Sequence, residues 1–224
     1  MGRMLMGEFP HIVWTPCASH CLDLLMEDIG KMSWVEEVVS KSTSIVTFFT
    51  IKHKALAMFR EHSKLELRKP SSTRFAYLWL LLERLYDVKL ALRQTVVSTM
   101  WTEWEESSLD SSKEMQRLIF NEEFWERIRA IVIMITPLYR VLRMTDMEGA
   151  TLGLLVHFMR AAMDEMKACN LLAPNEKRDV ISKVEERWTW MRRPIHSLAA
   201  LLHPAYKAPD LFTDGELFVD RDVF

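Results

Sequence analysis

The sequence predicts a mainly α-helical protein with one short strand near its N-terminus. Only six glycines occur in 224 residues, and long stretches repeat apolar side chains at the spacing of an amphipathic helix. Runs that alternate apolar and polar residues, which are typical of half-buried strands, do not follow one another along the chain. The one predicted strand is "HIVW", residues 11–14, because this segment is short, apolar and closed by Thr15-Pro16.

Two helices are predicted directly after this strand. Thr15 is a suitable N-cap, Pro16 suits the first helical position, and Gly30 provides a suitable end. Ser33 and Glu36 then have the spacing of a capping box, which starts a second helix that runs to about residue 50.

Further helices are predicted along the rest of the chain from the same periodicity. A second capping-box pattern, Ser111 with Glu114, closes the loop "SSLDSSKE", and Asn121 starts a helix that Pro137 should kink or stop. The last fifteen residues are acidic and are expected to be loose. The other predicted helices cover residues 55–61, 73–99, 152–169, 175–192 and 195–202.

The composition excludes several classes of protein. A net charge of −2 removes overall basicity as an argument for nucleic-acid binding. Three cysteines cannot form a disulfide framework, so we expect a reduced, intracellular compartment. The longest stretch without acidic or basic residues, 9–22, contains two prolines and is shorter than the roughly 20 residues that span a bilayer. We therefore expect no membrane partner.

Charge is nevertheless segregated along the chain. Residues 52–74 carry seven Lys or Arg against two Glu, a local balance of +5, whereas residues 103–126 carry a balance of −6. Within the basic segment, "LRKPSSTRF" combines cations, hydroxyls and the start of a helix, which are the groups that bind phosphate. The candidate residues are Arg68, Lys69, Ser71, Ser72, Thr73 and Arg74. The same cluster could be an ordinary solvated loop, or it could contact the acidic segment.

A second candidate site lies in "HIVWTPCASHCLDLLMEDIGK", residues 11–31. On a helix Cys17, His20 and Cys21 share one face, which permits a zinc site or an activated thiol. A structural zinc site needs four ligands from separate segments, and the chain offers no second Cys/His pair. The favoured interpretation is that these side chains are small and buried, with His20 hydrogen-bonded at the start of the helix, and we expect no metal.

Tryptophans and carboxylates give weaker signals. Eight tryptophans could stack on bases, but Trp79, Trp125 and Trp188 fall at core-facing positions, which favours packing. Asp23 and Glu27 form the best carboxylate pair for metal-dependent phosphoryl transfer. Acids at this spacing on a single helix are usually a surface feature, so no catalytic constellation stands out.

Four segments of the chain resemble the transposases of the hAT type, particularly the plant transposase-like proteins. In that family a Cys-x-x-His motif follows a strand of the RNase H-like core, as Cys17 and His20 follow "HIVW" here. The other three segments resemble family blocks and occur in family order. They are "KPSSTRFAYLWLLLERL", "FWERIRAIVIMITPLYRVLRMTD" and "RWTWMRRPIHSLAALLHPAY".

The resemblance implies a domain organisation. Residues 1–31 would be the end of an RNase H-like core, residues 32–208 the helical insertion domain, and residues 209–224 an acidic tail. The family's catalytic acids, two aspartates upstream of the Cys-x-x-His motif and one glutamate downstream, lie outside this chain. We therefore expect neither an enzyme nor a cofactor nor a small-molecule substrate. Phe75 stands where some family members have a DNA-contacting Trp, and His20 would lie near the DNA path.

The sequence is compatible with two functional hypotheses. The first is a non-catalytic transposase remnant, decayed or domesticated and located in the nucleus, that binds DNA weakly through Arg68, Lys69, Thr73 and Arg74. The second is a helical module that associates with itself or with related transposase-like proteins through apolar surface near "HIVW" and along the first helix.

Overall fold

A computed structural model describes residues 2–69, 76–149 and 151–204, and over these ranges the chain is mainly α-helical, as predicted. The predicted acidic tail, residues 209–224, lies outside the described residues. A short 3₁₀ helix covers Glu105–Ser108. The α-helices are α1 (Gly2–Glu8), α2 (Ala18–Gly30), α3 (Ser33–Ile51), α4 (His53–His62), α5 (Ala76–Asp87), α6 (Lys89–Val97), α7 (Thr99–Thr102), α8 (Asp110–Phe120), α9 (Glu122–Thr145), α10 (Leu152–Ala168), α11 (Pro174–Met191) and α12 (Pro194–Leu202).

The predicted strand at "HIVW" is wrong. Residues 11–14 form a turn followed by irregular backbone, and the described ranges contain no strand. Ile12 and Val13 are both exposed, by 41% and 50%. A strand is stable only when a neighbouring strand pairs with its backbone groups, and the described part of the chain supplies none.

The chain divides into two compact units. The first comprises Met1–Met26 and Thr136–Phe224, and the second comprises Glu27–Ile135. This division does not follow the boundary at residue 31 that the family resemblance implies, and that boundary stays a prediction.

The first unit is built around α10, which packs against α11 and α12. Gly153 makes the contact with α12 unusually close, because a Cβ placed on it would lie 2.5 Å from the carbonyl oxygen of Ala199. Apolar residues of α10 and α11 are buried within this unit: Leu155, Val156, Met159, Ala162, Met166, Val180, Val184, Trp188 and Met191.

The second unit packs α3 against α4 and α5, and α6 against α4 and α8. An aromatic cluster fills part of its core. The ring of Phe49 lies 6.0 Å from that of Trp101 and 6.1 Å from that of Phe59, and Trp101 contacts Trp104 edge to face at 5.3 Å. Such ring pairs add to the stability that the burial of apolar area provides.

The core positions predicted for the tryptophans are confirmed. Trp79, Trp125 and Trp188 are exposed by 6%, 0% and 7%. The indole Nε1 of Trp125 donates a hydrogen bond of 2.7 Å to the carbonyl oxygen of Ile119, so its only polar atom is satisfied inside the core.

Helix starts were predicted with mixed success. Asn121 caps α9 as expected, since its Oδ1 accepts a hydrogen bond of 2.9 Å from the backbone N–H of Phe124. The capping boxes at Ser33 and Ser111 are wrong: each serine lies within its helix, and Met32 and Leu109 occupy the capping positions without a side-chain bond. The helix expected to start at Pro16 begins at Ala18 instead.

Helix continuity was also predicted only in part. The helix expected over 73–99 is interrupted at Val88, whose φ of −96° and ψ of 9° separate α5 from α6, and its expected start lies outside the described residues. Pro137 does not stop α9, which continues to Thr145. Proline removes one hydrogen bond to the carbonyl of Ile133, and Ile133 lies on an exposed position where water can replace that bond.

Candidate nucleic-acid interface

Within the basic segment, the stretch at residues 63–69 is held in place by Glu66. Its carboxylate accepts two hydrogen bonds from Arg60 at the end of α4, from Nε at 2.8 Å and from Nη2 at 3.0 Å. Its backbone carbonyl oxygen accepts a third, of 3.0 Å, from Nη1 of Arg84 on α5. A bidentate guanidinium–carboxylate pair fixes the orientation of the two groups as well as their distance. Glu66 therefore connects the segment to both α4 and α5.

Two further contacts shape the same segment. The hydroxyl of Ser63 accepts a hydrogen bond of 3.1 Å from the N–H of Leu65 and donates one of 2.8 Å to the carbonyl oxygen of Leu65. Leu67 is exposed by only 8% and anchors the segment on the core. The turn at Ser63 and the buried Leu67 therefore fix the backbone of this segment together with the hydrogen bonds of Glu66. We call the contacts of Glu66 with Arg60 and Arg84 the Glu66 clamp.

Arg68 and Lys69 follow this anchor directly. Arg68 is half-buried and lies close enough to Glu83 to oppose the rise in the pKa of that carboxyl, which burial and then the charge of Asp87 cause. Lys69 is exposed, as is Lys64 in the turn. Within the part of the chain that the structure describes, neither lysine forms an ion pair, so both ammonium groups are available to an anion.

The remaining predicted contacts of this interface are not described. Thr73, Arg74 and Phe75, together with Ser71 and Ser72, lie in the gap at residues 70–75. Of the predicted residues in this segment, the structure describes Arg68 and Lys69, which are consecutive in the chain. Arg60, Glu66 and Arg84 were missed as organisers of the segment, because their spacing crosses a helix end and no periodic pattern connects them.

One lysine of the basic segment, outside the "LRKPSSTRF" cluster, contacts the acidic segment. A contact of the cluster itself with the acidic segment stays a prediction. Lys52, between α3 and α4, forms an ion pair with Glu106 and lies over the rings of Phe48 and Trp104, 5.4 and 5.3 Å from their centroids. In the acidic segment, Glu122 is similarly paired with basic residues on α6. The segregation of charge in the sequence is thus partly neutralised in the fold.

The Cys-x-x-His corner lies at the start of α2, in the other unit. Cys17 and His20 are exposed, so the expectation that they are buried is wrong, whereas Cys21 is buried at 3% exposure. Cys17 precedes the first residue of α2, and His20 lies on the outer face of the helix. The inward face is formed by Cys21, Leu22 and Leu25. Burial raises the pKa of the Cys21 thiol, and the neighbouring Arg187 opposes that rise.

A groove of about 350 Å³ opens in the second unit between α3 and the start of α9. Arg127 lies over the ring of Trp34, 4.9 Å from its centroid, and Lys41 pairs with Glu37 at 2.6 Å. Glu123 also lines the groove, so acidic and basic side chains balance there and it shows no preference for an anion.

Within the described residues, no three side chains of His, Cys, Asp or Glu are grouped so that they could hold a metal ion. None of the described helices has the length and the apolar character that a membrane span requires.

The N-terminal segment of the chain matches a family model. Residues 1–45 match a domain of unknown function, DUF659, which contains the Cys-x-x-His corner and most of α3. Domains of this family occur in hAT-like and plant transposase-like proteins. No curated protein and no solved structure matches the chain. The match covers well under half of the chain, so by itself it assigns the chain neither to a family nor to an activity.

Proposed function

We propose that this chain is a non-catalytic remnant of an hAT-type transposase, acting in the nucleus, that binds the nucleic-acid backbone weakly through its basic segment. The relationship is supported by the four sequence blocks in family order and by the DUF659 match over the first of them. The binding is supported by one structural observation: Arg68 and Lys69 follow directly after the buried Leu67, in a segment whose Glu66 binds both Arg60 and Arg84.

The charges of this segment suit a phosphodiester better than a metal or a neutral ligand. Lys64 and Lys69 are exposed cations without a carboxylate partner in the described part of the chain, and Arg68 adds a guanidinium. Basic side chains that contact phosphates release counterions, which gives affinity without reading sequence. Binding should therefore be weak, strongly dependent on salt, and similar for different DNA sequences.

Titration of a short labelled DNA duplex at several salt concentrations tests this function. Replacing both cations, Arg68→Ala with Lys69→Ala, should weaken binding and reduce the slope of log affinity against log salt by about two. The matched control is Lys113→Ala with Arg117→Ala, which removes the same charge from exposed positions of α8. Equal effects of the two double variants would show that only overall charge matters and would remove Arg68 and Lys69 from the interface.

By itself the chain is not expected to cleave DNA. The blocks that it shares with the family do not include those that contain the catalytic acids. Incubation of the protein with labelled DNA and Mg²⁺ or Mn²⁺ should leave the strands intact. Metal-dependent cleavage that persists after complete purification would contradict this part of the proposal.

A second candidate function is self-association, or association with related transposase-like proteins. It is favoured by a run of exposed apolar side chains in the N-terminal segment: Met4, Leu5, Phe9, Ile12 and Val13. Light scattering after size exclusion discriminates the two functions, because an interaction module should form oligomers as its concentration rises. A monomer at every accessible concentration would exclude self-association.

A further inference from the structure

Two acidic residues, Glu61 and Glu66, lie between Arg60 and Lys69. On charge alone, Glu66 should oppose the binding of a phosphate. The structure gives it a different set of contacts. Its carboxylate binds Arg60 and its carbonyl binds Arg84, so one residue connects α4, the basic segment and α5.

We propose that Glu66 is the positioning residue of the phosphate-binding segment, and that it increases affinity for the DNA backbone although it is negatively charged. This inference rests on the proposed function and adds to it how the cations are presented. Arg68 and Lys69 lie two and three residues after Glu66, and the buried Leu67 lies between Glu66 and Arg68. A segment fixed at Glu66 and Leu67 keeps the two cations in one arrangement, which reduces the ordering that binding would otherwise require.

An effect of overall charge and an effect of positioning predict opposite changes in DNA affinity for Glu66→Ala. Glu66→Ala removes a negative charge and releases Arg60, so an interface that depends on charge alone would bind DNA more tightly. If Glu66 positions the segment, the loss of the clamp leaves Arg68 and Lys69 without a fixed arrangement. Affinity then falls although the protein has become more basic.

Glu61→Ala is the matched control. Glu61 is exposed at the end of α4, lies five residues away, and forms no hydrogen bond or ion pair within the described residues. The Glu61→Ala substitution changes the net charge by the same amount as Glu66→Ala and leaves the contacts of Glu66 intact. Glu66→Gln supplies a second variant, because its amide oxygen still accepts one hydrogen bond from Arg60 while the negative charge is lost.

The experiment measures the affinity of the four proteins for a short DNA duplex at several salt concentrations, after circular dichroism has shown equal folding. We expect Glu61→Ala to bind slightly more tightly than the wild type. Glu66→Ala should bind about three- to tenfold more weakly than that control, with an unchanged slope against log salt, since the same phosphate contacts form at a greater ordering cost. Glu66→Gln should recover part of the difference.

The outcomes separate this inference from the proposed function. If the wild type binds DNA through Arg68 and Lys69 but Glu66→Ala binds as tightly as Glu61→Ala or more tightly, the positioning role is wrong and the function stands. If the wild type binds no DNA at the lowest salt, both are overturned. Weaker binding by Glu66→Ala with a lower salt slope would also contradict the inference, because a greater ordering cost alone leaves the number of phosphate contacts, and therefore that slope, unchanged.

Discussion

Gly153 of α10 lies directly against Ala199 of α12, with space for a hydrogen atom and no more. A Cβ on Gly153 would lie 2.5 Å from the carbonyl oxygen of Ala199 and 3.2 Å from the Cβ of His203. The obstacle is backbone, which cannot move aside as a flexible side chain can. The close packing of these two helices therefore depends on the absence of a side chain at position 153.

Gly153→Ala should lower the free energy of unfolding. Overpacking of this kind costs about 1–3 kcal/mol, against a gain of up to about 1 kcal/mol because alanine favours the helix more than glycine does. Urea unfolding followed by circular dichroism measures the balance. Gly7→Ala is the control, because a Cβ there meets no atom within 4 Å and only the helix preference changes. A Gly153→Ala variant as stable as Gly7→Ala would show that α10 and α12 are not packed this closely.

Ser112→Ala should raise the stability of the protein. The hydroxyl of Ser112 is fully buried in α8 and finds no hydrogen-bond partner among the described residues. A buried polar group without a partner costs about 1–3 kcal/mol, and alanine fills nearly the same space without that cost. We expect the free energy of unfolding to increase by about 1 kcal/mol.

Ser42→Ala is the matched comparison for this prediction. Ser42 is equally buried, but its hydroxyl donates a hydrogen bond of 2.7 Å to the carbonyl oxygen of Val38. Removing a satisfied hydroxyl should leave stability unchanged or lower it slightly. If the two alanine variants shift the urea midpoint equally and in the same direction, the hydroxyl of Ser112 has a partner in solution.

The mainly helical fold could be predicted because helix formation leaves a periodic trace in the sequence. The spacing of Leu78, Leu82 and Leu85 indicates one buried face, and these leucines do lie on the inner side of α5 or close to it. The break at Val88 could not be predicted, since a single non-helical residue hardly changes which side chains face inward. The side chain of Asn121 revealed a helix start, whereas Ser33 gave the same signal one residue too late.

The candidate interface was predictable in composition but not in organisation. A cluster of cations near Arg68 is visible in the sequence, and so is the presence of an acid at position 66. The pairing of that acid with Arg60 depends on how the chain turns after α4, and its contact with Arg84 depends on the packing of α5. Such contacts come from tertiary structure, which composition and periodicity do not specify. The strand predicted at "HIVW" is wrong for the same reason, because a strand needs a pairing partner from elsewhere in the fold.

Stability should depend on pH through Glu83. Burial raises the pKa of this carboxyl, the charge of Asp87 raises it further, and Arg68 and Arg84 oppose the shift. The folded state therefore holds the proton more tightly than the unfolded state, and stability falls as pH rises from the ordinary Glu pKa through the raised folded value. Glu83→Gln should be more stable than the wild type at neutral pH, and the difference should disappear below the ordinary Glu pKa.

Glu122 should show the opposite pH dependence. A hydrogen bond from Lys89 and then the close ion pair with Arg93 lower its pKa in the folded protein. Its contribution is present above the ordinary Glu pKa and is lost as pH falls through the lowered folded value. Glu122→Gln should therefore be less stable than the wild type at neutral pH and equal to it in strong acid. Urea titrations at a series of pH values compare both variants, and shifts of the same sign at neutral pH would contradict the assignment.

The two cysteines of the N-terminal corner should differ in reactivity, which tests where the structure places the Cys-x-x-His motif. Cys17 is exposed, while Cys21, one helical turn later, is 3% exposed and has a raised pKa because of its burial. Alkylation requires an accessible thiolate, so iodoacetamide at mildly alkaline pH should modify Cys17 first and leave Cys21 protected until the protein unfolds. Mass spectrometry of the digested protein resolves the two sites, and denatured protein, in which both react, is the control. Equal rates in the folded protein would mean that the start of α2 is open to solvent on its inner face, and the burial of Leu22 and Leu25 would then be wrong as well.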